Sequence, residues 1–63
     1  MVLFRTNYQG YRIEIVNDLV GDGFIGVAGE ALSDEYSVQR VRVEGESLPY
    51  VLWNVIDAVD RGF

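Results

Sequence analysis

The 63-residue sequence contains no cysteine, no histidine and no lysine. Without cysteine there are no disulfides and no thiolate ligands for a metal. Without histidine there is no side chain that ordinarily titrates near pH 7, and without lysine there is no Schiff-base amine and no phosphate-binding lysine. Catalysis would have to rely on carboxylates, hydroxyls and arginine. We therefore expect no enzymatic activity, no cofactor and no metal site.

Carboxylates come closest to a catalytic pair at Asp34 and Glu35, and at Glu44 and Glu46. A glycosidase-type pair must flank a cleft, and a chain this short has little volume to form one. The glycine-rich segment at residues 21–23 lacks the lysine and the following helix of a phosphate-binding loop. We interpret it as a hairpin turn.

Proline and long apolar runs are also scarce. Pro49 is the only proline, and no run approaches the roughly 18 apolar residues of a membrane-spanning helix. Because the N-terminus lacks a basic segment before an apolar stretch, we expect a soluble, cytoplasmic protein.

The hydrophobic fraction of 49% favours a folded chain. Residues 1–63 are predicted to form one small domain, and a domain near the lower size limit favours a homodimer.

Acidic residues outnumber basic ones by ten to five, which gives a net charge of −5. This charge repels phosphate backbones and anionic lipids, so it disfavours binding to nucleic acid or to membranes. It suits a basic protein partner.

Alternation of apolar and polar side chains predicts strands at residues 11–16, 24–29 and 36–44. In the third strand the apolar phase changes, and we expect a β-bulge near Gln39. Glycines in the second strand predict a bulge, a bend or a large side chain packed across the backbone. Residues 2–8 form either a fourth strand, paired across Gln9 and Gly10, or the leading end of the first strand.

A helix is predicted to begin near Leu48, because Ser47 is a favourable N-cap and Pro49 falls in the first turn. Gly62 is placed to end it in a left-handed conformation. The fold class is α+β: an antiparallel meander of three or four strands with this helix packed on one face. The predicted core comprises Tyr11, Ile13, Ile15, Ile25, Val27, Val41, Val43, Leu48, Val51, Leu52, Val55, Ile56 and Val59.

Tyr50, Trp53 and Asp57 share a second helix face beside the apolar stripe. The aromatic rings either cover the rim of a small core or form a contact surface, since tyrosine and tryptophan are enriched at interface hot spots. We take the three residues as the candidate partner-binding site. A second copy of the chain would also bury the two rings, so we expect a homodimer that uses this face.

Charged side chains are predicted on the sheet face opposite the helix, at Arg12, Glu14, Arg40, Arg42 and Glu44. Cross-strand ion pairs on a solvated surface account for them. The alternative, an RNA-binding sheet, needs aromatic rings among the arginines for base stacking, and only Tyr36 is available.

The segment Gly45, Glu46 and Ser47, with Asn54 and Ala58 following on the helix, resembles HicB-like antitoxin domains. The upstream Gly-Phe-Ile at residues 23–25 is similar to the strand of that family that begins Gly-Tyr. The resemblance covers about half the chain. It implies a sheet protein that binds and neutralises a partner, and no functional residue is carried over from it.

The sequence thus predicts a non-enzymatic module for protein–protein interaction, homodimeric, which binds and modulates a basic protein. The alternative is a small acidic inhibitor, of an antitoxin or phage type, whose carboxylates mimic nucleic-acid phosphates. Mimicry requires the acidic side chains to converge on one face. The residues concerned are Asp18, Asp22, Asp34, Glu35 and Glu46.

Overall fold

The computed structural model describes residues 2–31 and 37–62, which form one antiparallel sheet with a helix across one face. The elements are β1 (Val2–Tyr8), β2 (Tyr11–Asp18), β3 (Gly23–Ala31), β4 (Ser37–Gly45) and α1 (Leu48–Arg61). The four strands lie side by side in chain order. This confirms the α+β prediction and shows that the N-terminal segment is a separate strand. No helix in these two described ranges is long and apolar enough to cross a membrane.

Two tight connections set the strand register. Gln9 and Gly10 both have positive φ, 54° and 83°, as a two-residue type I′ hairpin turn requires. Between β2 and β3, the Asp18 carboxylate accepts hydrogen bonds from the backbone N–H groups of Val20 and Gly21, at 3.0 and 3.2 Å. An aspartate side chain that accepts hydrogen bonds from the backbone N–H groups of the following residues stabilises a turn, so β2 ends here.

The core lies between α1 and the middle strands. Ile13 pairs with Ala28, and Ile15 pairs with Gly26, on the sheet face that the helix covers. The fully or nearly fully buried apolar side chains are Ile13, Ile15, Ala28, Val51, Val55 and Val59. Around them pack the half-buried Tyr8, Tyr11, Phe24, Val41, Val43, Leu48, Leu52 and Ile56.

The prediction that Ile25 and Val27 belong to this core is wrong. They pair with Val16 and Glu14 on the opposite face of the sheet and are only half-buried. The reason is the close approach of α1: a Cβ on Gly26 would lie 2.5 Å from a methyl group of Val51. In the middle of β3 the small residues Gly26 and Ala28 therefore face the helix, and Ile25 and Val27 face away. Side chains do pack across a glycine of this strand, as one of the three alternatives predicted, and they are the valines Val51 and Val55 of α1.

The bulge predicted near Gln39 is confirmed. Ala28 pairs with Val41 and Gly29 pairs with Gln39, so Arg40 is the extra residue on β4. A second irregularity, not predicted, leaves Leu3 as the extra residue on β1. Each bulge lies on an edge strand, where such irregularities commonly interrupt strand pairing.

Both predicted helix ends are confirmed. The Ser47 hydroxyl accepts a hydrogen bond from the Tyr50 backbone N–H at 3.3 Å, and Gly62 has a φ of 78° and donates its N–H to the Val59 carbonyl. The helix packs mainly on β3 and β4 and less on β2. Near its end, the Tyr8 hydroxyl donates to Asp60 at 2.8 Å and ties the first hairpin to the helix.

Candidate interaction surface

Tyr50 and Trp53 lie on the outer side of α1. A helix has about 3.6 residues per turn, so Trp53 points away from the side on which Val51 and Val55 are buried. Trp53 is 68% exposed and Tyr50 is 57% exposed. The indole is therefore not a cover for the core rim, whereas the phenol ring retains part of that role.

Gly45 explains the position of the Tyr50 ring. A Cβ on Gly45 would lie 2.5 Å from Cδ1 of Tyr50 and 3.0 Å from Cγ2 of Val51. The ring thus rests against bare backbone at the end of β4, with its other side in solvent. Beside it is a groove of about 480 Å³, lined by Glu44, Gly45, Glu46, Ser47 and Tyr50.

The third predicted site residue, Asp57, is exposed and already paired. Its carboxylate lies 3.0 Å from Nε of Arg61, one helical turn further along. Such an exposed i,i+4 pair adds little stability and can exchange for another partner. Helical spacing places Asp57, four residues after Trp53, on the same side of α1 as the two aromatic rings.

Asp60 has a different environment because it accepts the hydrogen bond from Tyr8. This bond raises the pKa of the Tyr8 phenol above its ordinary value, since the deprotonated phenolate could no longer donate to the carboxylate. Glu46 makes no ion pair with any residue of the described ranges. Its charge is free for an incoming cation.

Further acidic groups lie at the same end of the sheet as the start of α1. Asp18 and Asp22 line a second groove of about 310 Å³ in the turn between β2 and β3. This turn adjoins the groove beside Tyr50, because a Cβ on Gly23 would lie 2.5 Å from the carbonyl oxygen of Gly45.

Three of the five acids named for mimicry, Asp18, Asp22 and Glu46, are thus brought to one end of the sheet. The other two, Asp34 and Glu35, lie outside the described residues.

Ion pairs occupy much of the charged sheet surface, and the predicted cross-strand pairing holds for Arg5 with Glu14 and for Arg40 with Glu30, whereas Arg42 pairs with Glu44 along β4 itself. Arg5 donates to Glu14 through Nε and Nη2, at 3.0 and 2.7 Å. Two further pairs among the described residues are looser, Arg40 with Glu30 at 3.4 Å and Arg42 with Glu44 at 3.5 Å. The sequence prediction missed Arg5 and Glu30, whose roles depend on which strands are neighbours.

The sheet face opposite the helix has a half-buried apolar centre formed by Val16, Ile25 and Val27. None of the described residues on this face is aromatic, and Tyr36 lies outside the described residues. The stacking platform that single-stranded RNA would need is therefore missing from the part of the face that the structure describes.

No group of three or more potential metal ligands occurs within residues 2–31 and 37–62. No protein-family model, no curated protein and no solved structure matches the chain. The resemblance to HicB-like antitoxin domains stays a prediction, and any functional argument rests on the geometry above.

Proposed function

We propose that this protein is a non-enzymatic interaction module that binds and modulates a basic protein through the outer side of α1. One observation carries the proposal: the indole of Trp53 and the phenol of Tyr50 are both more than half exposed on one side of the helix. Large exposed aromatic rings are costly in a monomer and are the side chains most enriched at binding hot spots.

The charge of the protein supports a basic partner. The net charge is −5, and Glu46 and Asp57 lie at opposite ends of the aromatic surface. Carboxylates at the rim of an interface accelerate association with a cationic protein and discriminate against acidic ones. The affinity itself would come from burial of the two rings.

The Tyr50 groove is suited to a cationic side chain of such a partner. One face of the phenol ring is in solvent, and Glu44 and Glu46 line the same groove. An arginine placed there could stack on the ring and approach Glu46, whose carboxylate has no ion-pair partner in the described ranges.

A capture experiment tests the proposal. Lysate of the native host is passed over immobilised wild-type protein, Trp53→Ala and Val20→Ala, and retained proteins are identified by mass spectrometry. Val20 is the matched control because it is a fully exposed apolar residue that lies outside α1, in the turn between β2 and β3. We expect a basic protein retained by wild type and Val20→Ala and lost from Trp53→Ala. Equal retention on all three surfaces would contradict the proposal.

The second candidate, an acidic inhibitor that mimics nucleic acid, is favoured by the convergence of Asp18, Asp22 and Glu46 at one end of the sheet. It makes a different prediction in the same assay. Asp18→Asn combined with Asp22→Asn should abolish retention, and nucleic acid should compete with the protein for the retained partner. Trp53→Ala should then have little effect.

We also propose that the protein is a homodimer, since a domain this small gains stability from a second subunit. Localisation in the cytoplasm, expected from the sequence, stays a prediction.

A further inference from the structure

We infer that the free edge of β1 is the dimer surface: β1 of one copy pairs antiparallel with β1 of a second copy. The two sheets then form one continuous sheet, with both helices on the same side. This inference deepens the proposed homodimer and is independent of the basic partner. Four observations support it, from the hydrogen bonding, charge, exposure and sequence of β1.

The edge of β1 offers unpaired backbone groups. Tyr8 and Tyr11 flank the two-residue turn and are partners in the register, so they form a hydrogen-bonded pair. Hydrogen-bonded and non-hydrogen-bonded pairs alternate along an antiparallel ladder. Arg5 and Asn7 are therefore in non-hydrogen-bonded pairs with β2, and their N–H and C=O groups point outward from the sheet.

The two edges of the sheet differ in protection. β4 carries three charged residues, Arg40, Arg42 and Glu44, and is interrupted by the bulge at Arg40. β1 carries a single charge, on Arg5, and is regular from Phe4 to Tyr8. Charges and bulges are the means by which proteins prevent edge-to-edge pairing. β4 is protected in this way, whereas β1, whose own bulge at Leu3 lies at one end of the strand, is open from Phe4 to Tyr8.

Apolar side chains at β1 are left outside the core. Val2, Leu3 and Phe4 are 38%, 41% and 38% exposed. Phe4 pairs with the fully buried Ile15 and so belongs to the helix side of the sheet, but α1 packs mainly on β3 and β4. A neighbouring β1 strand would cover Phe4 and extend the core across the dimer axis.

The sequence of β1 is complementary to itself, which identifies the occupant as a second copy. With a two-fold axis at Thr6, Phe4 faces Tyr8 of the second copy, and Arg5 faces Asn7. Arg5 of one copy and Asn7 of the other, whose backbone groups both point outward, then exchange backbone hydrogen bonds. The side chains of Phe4 and Tyr8 pair beside the axis, and the two Thr6 side chains pair at it. An axis at Arg5 would instead place two arginines opposite each other.

Charge also favours β1 over the helix for self-association. Two copies that met through the Tyr50 and Trp53 surface would place two Glu46 carboxylates, which have no ion-pair partner among the described residues, in one interface between molecules that each carry −5. β1 has no acidic residue, and its Arg5 is neutralised by Glu14 at 2.7 Å. The dimer contact expected from the sequence is thereby reassigned from the helix to β1, and the aromatic surface remains for the basic partner.

Disulfide trapping gives a direct test, because the natural chain has no cysteine. In Thr6→Cys the two new thiols face each other across the axis, within the Cα separation that a disulfide spans. We expect mild oxidation to convert most of this variant to a covalent dimer. Gln39→Cys, on the opposite edge strand, is the matched control and should stay monomeric on a non-reducing gel.

Sedimentation equilibrium provides the second measurement. Thr6→Lys places two like charges at the axis and should weaken the dimer at least about tenfold, whereas Gln39→Lys and Trp53→Ala should leave the dissociation constant unchanged. Circular dichroism checks that each variant is folded. If a variant is not folded, the disulfide-trapping comparison of Thr6→Cys with Gln39→Cys decides instead.

The outcomes distinguish the existence of the homodimer from the assignment of its interface to β1. A dimer that Trp53→Ala dissociates, and that Thr6→Cys does not trap above the Gln39→Cys control, overturns the β1 assignment and leaves the homodimer. A wild-type monomer at about 100 μM overturns both. Neither result affects the binding of a basic protein.

Discussion

Substitution of Gly26 by alanine tests the close contact between α1 and the sheet. Gly26 is buried in the middle of β3, where it pairs with Ile15 on one side and Val43 on the other. An added Cβ would lie 2.5 Å from Cγ1 of Val51 and 2.9 Å from Cγ2 of Val55. Both valines are fully buried, so neither has open space into which to turn.

The expected cost follows from two opposing effects. Overpacking a tight core destabilises by about 1 to 3 kcal/mol. Alanine restricts the unfolded chain more than glycine does and offsets this by about 0.4 to 1 kcal/mol. We expect a net loss of about 1 to 2 kcal/mol, out of a total stability of roughly 3 to 9 kcal/mol for a chain of this length.

Urea denaturation followed by circular dichroism measures this loss. Fluorescence is the poorer probe because Trp53, the one tryptophan of the chain, is largely exposed in the folded state. Gly21→Ala is the matched control: its Cβ would meet nothing closer than the flexible Asp18 carboxylate, at 3.3 Å. That variant should stay within about 0.5 kcal/mol of wild type.

A double-mutant cycle with Val51→Ala isolates the contact. Val51→Ala alone removes two buried methyl groups and should cost about 2 kcal/mol. In the double variant the new methyl group of residue 26 occupies part of the space that Val51 vacates. The combined loss should be smaller than the sum by at least about 0.5 kcal/mol. Strict additivity, or a Gly26→Ala protein as stable as Gly21→Ala, would refute the proposed distance between helix and sheet.

Two further predictions concern the ends of α1. Tyr8→Phe removes the hydrogen bond that the Tyr8 hydroxyl donates to Asp60. This hydrogen bond raises the pKa of the phenol in the folded protein. The bond therefore stabilises the fold fully below the unfolded pKa of about 10, and the stabilisation is lost as the pH rises through the pKa of the folded protein. Thermal melts from neutral pH upward should show wild type and Tyr8→Phe converging in alkali, and a difference that grows there would contradict the assignment. Ser47→Ala removes the N-cap acceptor of the Tyr50 N–H and should cost about 1 kcal/mol in urea, whereas Ser47→Asp, which keeps an acceptor, should cost far less.

The sequence alone determined the elements whose signals are local. Ser47, Pro49 and Gly62 mark the ends of α1 because capping depends on residues within one helical turn, and the helical spacing places Tyr50 and Trp53 on one side of it. Alternation located β2, β3 and β4 and left β1 undecided, and the change of phase in the third predicted strand indicated a bulge near Gln39, which the structure has at the next residue, Arg40. These features needed no knowledge of the rest of the chain.

Which side of β3 faces the core depends on how closely α1 packs against the sheet. Hydrophobicity favoured Ile25 and Val27, but the short distance between α1 and the sheet admits only Gly26 and Ala28 beneath the helix, and that distance is a property of two packed elements. The partners of Arg5 and the open edge of β1 likewise depend on the order of the strands in the sheet. Local propensity carries no information about which strand has a neighbour on one side only, because that is settled when the whole sheet assembles.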